Sequence, residues 1–184
     1  LSSELISLLL AGPERWNARR KEDDYREISL VGFRSSQLAT DGSEAFDTRL
    51  RGYDFSFCRL EDATFDTCLI EQCDFTNSWL VGARIFASKL DKCCFAGAYL
   101  IQCIFHHSDV KDCAFEFATL NDCVFAETSI RMILDLKKVE VLSKSAFDLG
   151  TIRKSLSSPG HELRPQEVEL LVDLGLSRDI AELM

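Results

Sequence analysis

No run of eighteen or more apolar residues occurs anywhere in the 184-residue chain, so it contains no helical membrane span. The one short apolar stretch near the start, residues 5–11, lacks a basic leader and runs into Gly12-Pro13. It reads as a short helix rather than a signal peptide. Positive charge is also scarce: 21 Lys and Arg stand against 30 Asp and Glu, a formal charge of −9. Such a chain repels a phosphate backbone, which argues against direct nucleic-acid binding. Histidine is rarer still, with three in all. His106 and His107 are neighbours without a carboxylate or cysteine partner in reach, and His161 lies far off, which is a poor basis for a metal site. There is no Gly-rich phosphate loop, nucleophile elbow or pair of catalytic carboxylates. The expectation is a chain that is not an enzyme, with no cofactor and no metal.

What the chain does have is a period. Residues 46–130 cut into seventeen blocks of five without a slip: FDTRL, RGYDF, SFCRL, EDATF, DTCLI and so on to AETSI. Every block ends in a large apolar residue, and its third position is small or cysteine, Tyr53 apart. Sorted by every fourth block, the ends form columns: Phe55, Phe75, Phe95, Phe115; Leu60, Leu80, Leu100, Leu120; Phe65, Ile85, Phe105, Phe125; and Leu50, Ile70, Leu90, Val110, Ile130. Neither a helix of period 3.6 nor a strand of period 2 explains a strict spacing of five. A coil with four sides, one block per side, does. Coils stacked at the strand spacing of ~4.8 Å place like on like. The end and third positions then face inward, the third kept small because corners crowd the interior.

This pattern resembles the pentapeptide repeat family. The resemblance implies an all-β solenoid, a right-handed quadrilateral β-helix, here with α-helical caps at both ends. Ala-Asp/Asn-Leu blocks, common in that family, are scarce, and Cys and Phe replace Ala and Leu. In composition this is similar to the quinolone-resistance subgroup, from which topoisomerase inhibition does not follow. The segment Gly12-Pro-Glu-Arg-Trp16-Asn17-Ala-Arg19-Arg20 also resembles the Gly-x-x-x-Trp-Asn-x-x-Arg stretch that precedes the coil in many bacterial members. That likeness implies that Trp16 covers the open end of the first coil.

The reading gives three parts: a helical N-terminal cap with an incomplete first coil (1–45), the repeat coil (46–130), and a C-terminal cap, linker and short helices (131–184). Ile28, Phe33 and Leu38, also five apart, suggest the partial coil, and residues 39–44 a loop. The frame fails at Asp135, where Met132, Ile133, Leu134 and Leu136 are candidates to close the far end. Residues 155–164 read as a linker. Pro165 then opens a helix stopped by Gly175, and Ser177 caps another. The acids Glu167, Glu169, Asp173, Asp179 and Glu182 argue against a DNA-reading helix pair and for capping or pairing with another copy.

Seven of eight cysteines occupy the small inward position, as small hydrophobes in a reducing cytoplasm; Cys94 alone points outward. The outward charges of one face mix signs (Arg49, Arg51, Glu71, Lys89, Asp91, Lys92, Asp109, Lys111, Asp112), so no continuous acidic stripe forms. One apolar surface patch is expected. Trp79 stands one coil below Tyr99 and Val81 one coil below Ile101, with Phe86, Ile104 and Val124 on the adjoining face. Either a terminal helix folds over it or a protein partner does, a second copy included; in both cases Trp79 and Tyr99 are buried against something. The leading reading is a non-enzymatic scaffold for protein partners, in a bacterial cytoplasm. The alternatives are a modulator or inhibitor of a DNA topoisomerase (gyrase) acting through an acidic, DNA-mimicking surface, and a targeting or effector domain. The last is left open because the chain starts at Leu1 rather than Met.

Overall fold

A five-residue side must hold two side chains inward and then turn the backbone through a corner. In the computed structural model, which describes residues 2–23, 28–38, 48–131, 139–141, 145–148, 151, 165–173 and 175–182, the second residue of each block makes that turn. Every fifth residue from Gly52 to Glu127 has φ between 46° and 70°. An L-residue there is costly by ~1–2 kcal/mol, yet the column includes Phe57, Thr67, His107 and Phe117. Two glycines are required by contact as well as conformation. A Cβ on Gly82 would stand 2.7 Å from Oδ1 of Asp62 one coil below, and one on Gly97 would collide with Oδ1 of Asn77.

Between corners the sides pair in parallel with an offset of twenty residues. The first face is a five-stranded sheet of Thr48–Arg51, Cys68–Glu71, Lys89–Asp91, Asp109–Lys111 and Ser129–Arg131. Its register sets Leu50 under Ile70, Leu90 and Val110. The second face holds the Phe55 column on single bridges, Asp54↔Asp74, Asp74↔Cys94 and Cys94↔Ala114. The third begins with the bridges Arg59↔Trp79 and Trp79↔Tyr99 and continues as Tyr99–Ile101, Thr119–Asn121 and Glu140–Val141. The fourth is Thr64–Asp66, Arg84–Phe86, Ile104–His106, Val124–Ala126 and Ala146–Phe147.

The inward columns pack as the period demands. Phe75, Phe95 and Phe115 stack at 4.8 and 4.9 Å between ring centroids, and Phe105 stacks on Phe125 at 5.0 Å. The void left along the axis is only about 10 Å³. The small column has a role beyond size. Cys103 and Cys123 donate their thiols to the Leu80 and Leu100 carbonyls in the coil beneath, at 2.7 and 3.2 Å. Cys73 does the same to Leu50, and Ser108 to Ile85. In the adjacent column the hydroxyl also accepts: Cys68 N–H donates to Ser88 Oγ at 2.9 Å, and Thr128 N–H to Thr151 Oγ1 at 3.0 Å. The third position therefore takes a small side chain that can also serve corner amides and carbonyls, which buried backbone groups require.

Burial pushes the Cys58 thiol up to about 12 and the Cys68 thiol to about 11. Cys94 is half-buried, and all eight cysteines are unpaired. A thiol reagent added to the native protein is therefore expected to modify Cys94 alone, and all eight after denaturation. Rapid modification of a second cysteine in the native state, counted by mass spectrometry, would contradict the inward assignment.

At the N-terminal end, helices α1 (Ser3–Leu10) and α2 (Pro13–Glu22) cover the first coil. Trp16 is fully buried, its ring 5.8 Å from Phe55, as the resemblance implied. The neighbouring residues explain the rest of that segment. Asn17 uses its side-chain amide as an added strand would use its backbone, donating to the Gly52 carbonyl at 2.8 Å and accepting from Asp54 N–H at 2.9 Å. Trp16 Nε1 donates to the Asp54 carbonyl at 2.6 Å, and buried Arg20 donates to that of Ser56. Asn17→Ala is expected to cost about 2 kcal/mol in chemical denaturation, since it strands two partly buried backbone groups. An unchanged midpoint would show that water closes this edge equally well.

Residues 28–38 form a partial coil, bridged as Ser29↔Arg59 and Arg34↔Thr64. Its offset is thirty residues rather than twenty, and one expected column member differs: Leu30 is fully buried beside Phe33 and Leu38, whereas Ile28 is half-buried. At the other end the five-residue frame stops but the coil does not. Glu140 pairs with Thr119, Ala146 with Val124, and Thr151 serves Thr128, offsets of 21, 22 and 23. Helix α3 (Pro165–Asp173) is followed by Gly175 at φ 109° and α4 (Arg178–Ala181), and a bidentate Glu169–Arg178 pair joins the two helices. The candidate closing residues Met132, Ile133, Leu134 and Leu136, the loop 39–44, the linker 155–164 with His161, and Leu1 lie outside the described residues. No helix among the described residues is long and apolar enough to cross a membrane.

Candidate protein-binding faces

In each block the fourth residue lies between two inward ones, so it must point out. On the third face that column is Arg59, Trp79, Tyr99 and Thr119. Trp79 and Tyr99 stack on each other, rings 4.6 Å apart and inclined by 22°. They remain 41% and 38% exposed. The expectation that they are buried against something is not met by the described residues, which leave both rings exposed. Neither the Trp79 indole N–H nor the Tyr99 hydroxyl hydrogen-bonds to a described residue. Because the rings face one another along the coil axis, their exposed area is edge rather than face.

Val81 and Ile101 follow on the same side and are half-buried. Round the corner made by Gly82 and Gln102, the fourth-face column reads Thr64, Arg84, Ile104 and Val124. Ile104 is half-buried, Val124 is exposed, and Phe86 packs edge-on against His106 at 6.0 Å. The register thus puts Trp79 over Arg59 and under Tyr99, and Ile104 between Arg84 and Val124. Two features were not anticipated from sequence. Arg84 is exposed in the middle of the apolar positions, and Phe57 and Phe117 are 44% and 58% exposed at corners bordering the third face. The signal for the phenylalanines was available, since both occupy the second position of their block, which always forms a corner.

The first face is electrically mixed in register. Arg51 pairs with Glu71, Lys89 with Asp109, and Asp91 with Lys111, each cation beside an acid on the next coil. Glu71 also pairs with Asp91, so the face mixes both signs without forming a continuous acidic stripe. His106 and His107 have their rings 4.2 Å apart, and among the described residues no group of three or more His, Cys, Asp or Glu is placed to hold a metal. A surface hollow of about 700 Å³ lies between α1 and α2 and is lined by Glu4, Leu8, Glu14, Arg15 and Arg19 among others.

No model of a known protein family matches the chain, and no curated protein matches its sequence. Among solved structures, it is similar to a pentapeptide repeat protein of the cyanobacterium Cyanothece 51142, at 16% identity over 73% of this chain and 95% of that one, with a TM-score of 0.46. A pentapeptide repeat protein of the Arabidopsis thaliana thylakoid lumen is 26% identical over 45% of this chain and 61% of its own, TM-score 0.32. QnrB1, a plasmid-mediated fluoroquinolone resistance protein, is 16% identical over 74% of this chain and 99% of its own, TM-score 0.26. All three scores fall below 0.5, so the assignment rests on the chain's own repeat and register. By its unbroken five-residue blocks and its parallel pairing at an offset of twenty, the chain is a four-sided β-solenoid.

Proposed function

We propose that the chain is a non-enzymatic scaffold that binds a protein partner through its third and fourth faces. The observation that carries this reading is the Trp79–Tyr99 stack, exposed on a rigid coil beside Val81, Ile101, Phe86 and Ile104. Aromatic residues with a polar tip are favoured anchors at protein interfaces, and the coil holds them without loss of side-chain freedom on binding. A second copy of the chain is among the partners this reading admits. Eight free thiols suit a reducing compartment such as the bacterial cytoplasm.

The competing reading, topoisomerase modulation by an acidic phosphate-mimicking surface, has the net charge of −9 in its favour. It has the register of the first face against it, where Arg51, Lys89 and Lys111 each stand beside an acid and break up any continuous acidic stripe. The discriminating experiment is affinity capture from a bacterial lysate with the native chain and a folded Trp79→Asp/Tyr99→Asp variant. A specific protein retained by the former and lost from the latter is the expected result. A topoisomerase subunit held equally by both would sink the proposal and put the acidic surface first.

A further inference from the structure

Arg84 occupies an unusual position for an exposed cation. In its sheet it has Thr64 below and Ile104 above, and along its own strand Phe86 on the same side. One turn of the corner back stands Val81, beside Trp79. None of these can neutralise a guanidinium; the nearest acid in register, Asp66 opposite Phe86, accepts a hydrogen bond from Thr67 at 3.1 Å, and Arg84 makes no ion pair or side-chain hydrogen bond with any described residue. The neighbouring column treats its cation differently: Arg59, below Trp79, is held by Glu61 through Nε–H to Oε1 at 2.8 Å.

In water this costs nothing, because the guanidinium is hydrated. Any partner that covers Trp79, Tyr99, Val81, Phe86 and Ile104 also covers Arg84 or comes to its edge. Removing a guanidinium from water without a counter-charge is strongly unfavourable. A planar fork of five donors is best met by a carboxylate, which accepts two of them in parallel. The same covering partner must offer acceptors to the Trp79 indole N–H, which also lacks a partner among the described residues. From this charge complementarity we infer that the third and fourth faces receive a protein segment presenting one Asp or Glu side chain flanked by apolar or aromatic residues, the carboxylate seated on Arg84 and the flanking side chains on Trp79, Tyr99 and Ile104. This rests on the reading of these faces as a docking surface and adds the chemistry of the occupant. Arg84 then sets specificity, rejecting segments that bring a neutral or basic residue to its position.

The test is a selection of random peptides displayed on phage against the full chain, followed by affinity measurement of synthetic consensus peptides. The expected consensus carries an acidic residue between apolar ones. Its affinity should fall about tenfold or more for Arg84→Gln, fall much less for Arg84→Lys, and be lost for Trp79→Asp/Tyr99→Asp. Replacing the peptide's acid by its amide should produce the same fall with the native chain and no further fall with Arg84→Gln, since each change removes the same pair. Peptides that lose binding to the Trp79/Tyr99 variant but carry no acid, or bind Arg84→Gln as well as the native chain, would overturn the inference while leaving the docking surface standing. Peptides indifferent to both variants, or no enrichment at all, would overturn both.

Discussion

Replacing Phe95 by alanine is expected to lower the free energy of unfolding by ~3–5 kcal/mol. Phe95 is buried between Phe75 and Phe115, its ring sandwiched at 4.8 and 4.9 Å. The column cannot close over the gap, because the coil spacing is fixed by backbone hydrogen bonds on every side, such as Phe75 N–H to Cys94 O at 2.7 Å and Phe95 N–H to Ala114 O at 2.7 Å. The deleted ring therefore leaves a cavity bounded by two aromatic faces, and the loss includes stacking as well as transfer. Thr76→Ala, on the outside of the same face, should cost under ~0.5 kcal/mol. Its backbone N–H is held by Asp74 in either variant, and its hydroxyl loses only a 3.4 Å contact with Cys94. Urea titration of the two variants decides the matter, and equal losses would mean that the inward and outward positions have been exchanged.

The second large effect is a collapse of stability in mild alkali. Desolvation on burial is the leading cause that pushes Cys58, Cys68 and Cys73 up to about 12, 11 and 12 from an ordinary thiol value of 9.0. A group whose pKa is raised by folding contributes stability that is intact below its unfolded pKa and is lost as pH rises toward its folded one. The window is therefore pH 9 to about 12, where unfolded thiols ionise and folded ones do not. At 1.36 kcal/mol per unit for each group, these three thiols alone withdraw on the order of 4 kcal/mol by pH 10. Serine already occupies the same inward position at Ser78, Ser88 and Ser108, so a Cys58→Ser/Cys68→Ser/Cys73→Ser variant isolates the effect. Its stability should fall far less between pH 8 and pH 10 than that of the native chain. An equally steep fall would place the cause in other titrating groups.

The parts of this fold that could be read in the chain share one physical property: each is specified within a single block. A side of five residues has room for one large and one small inward side chain, so the column of Phe55, Phe75, Phe95 and Phe115 and the cysteines above and below one another are visible as spacing. The left-handed corner was equally periodic, but its sequence mark is weak. Glycine appears there at Gly52, Gly82 and Gly97, whereas Phe57, Thr67 and His107 take the same backbone at a cost. Phe57 and Phe117 stand exposed at two of these corners.

The candidate site shows the same division. That Trp79, Tyr99, Val81, Ile101, Phe86 and Ile104 belong to neighbouring outward columns followed from counting. That the Trp79 and Tyr99 rings stack, stay uncovered by the chain's own helices and stand close to an unpaired Arg84 did not, since exposure depends on where the terminal segments lie.

By itself the sequence determined the four-sided coil, its twenty-residue register and the identity of the inward pairs, because stacking repeats every block's local rule at the next level. Only the tertiary structure decided how the coil ends. At the start, the Asn17 side chain supplies the missing rung to Gly52 and Asp54, a contact across 35 and 37 residues that no short period encodes. At the finish, Glu140, Ala146 and Thr151 extend the coil with offsets of 21, 22 and 23. There the pairing of backbone groups with the coil beneath persists although the five-residue frame has gone, because buried amides and carbonyls must be satisfied.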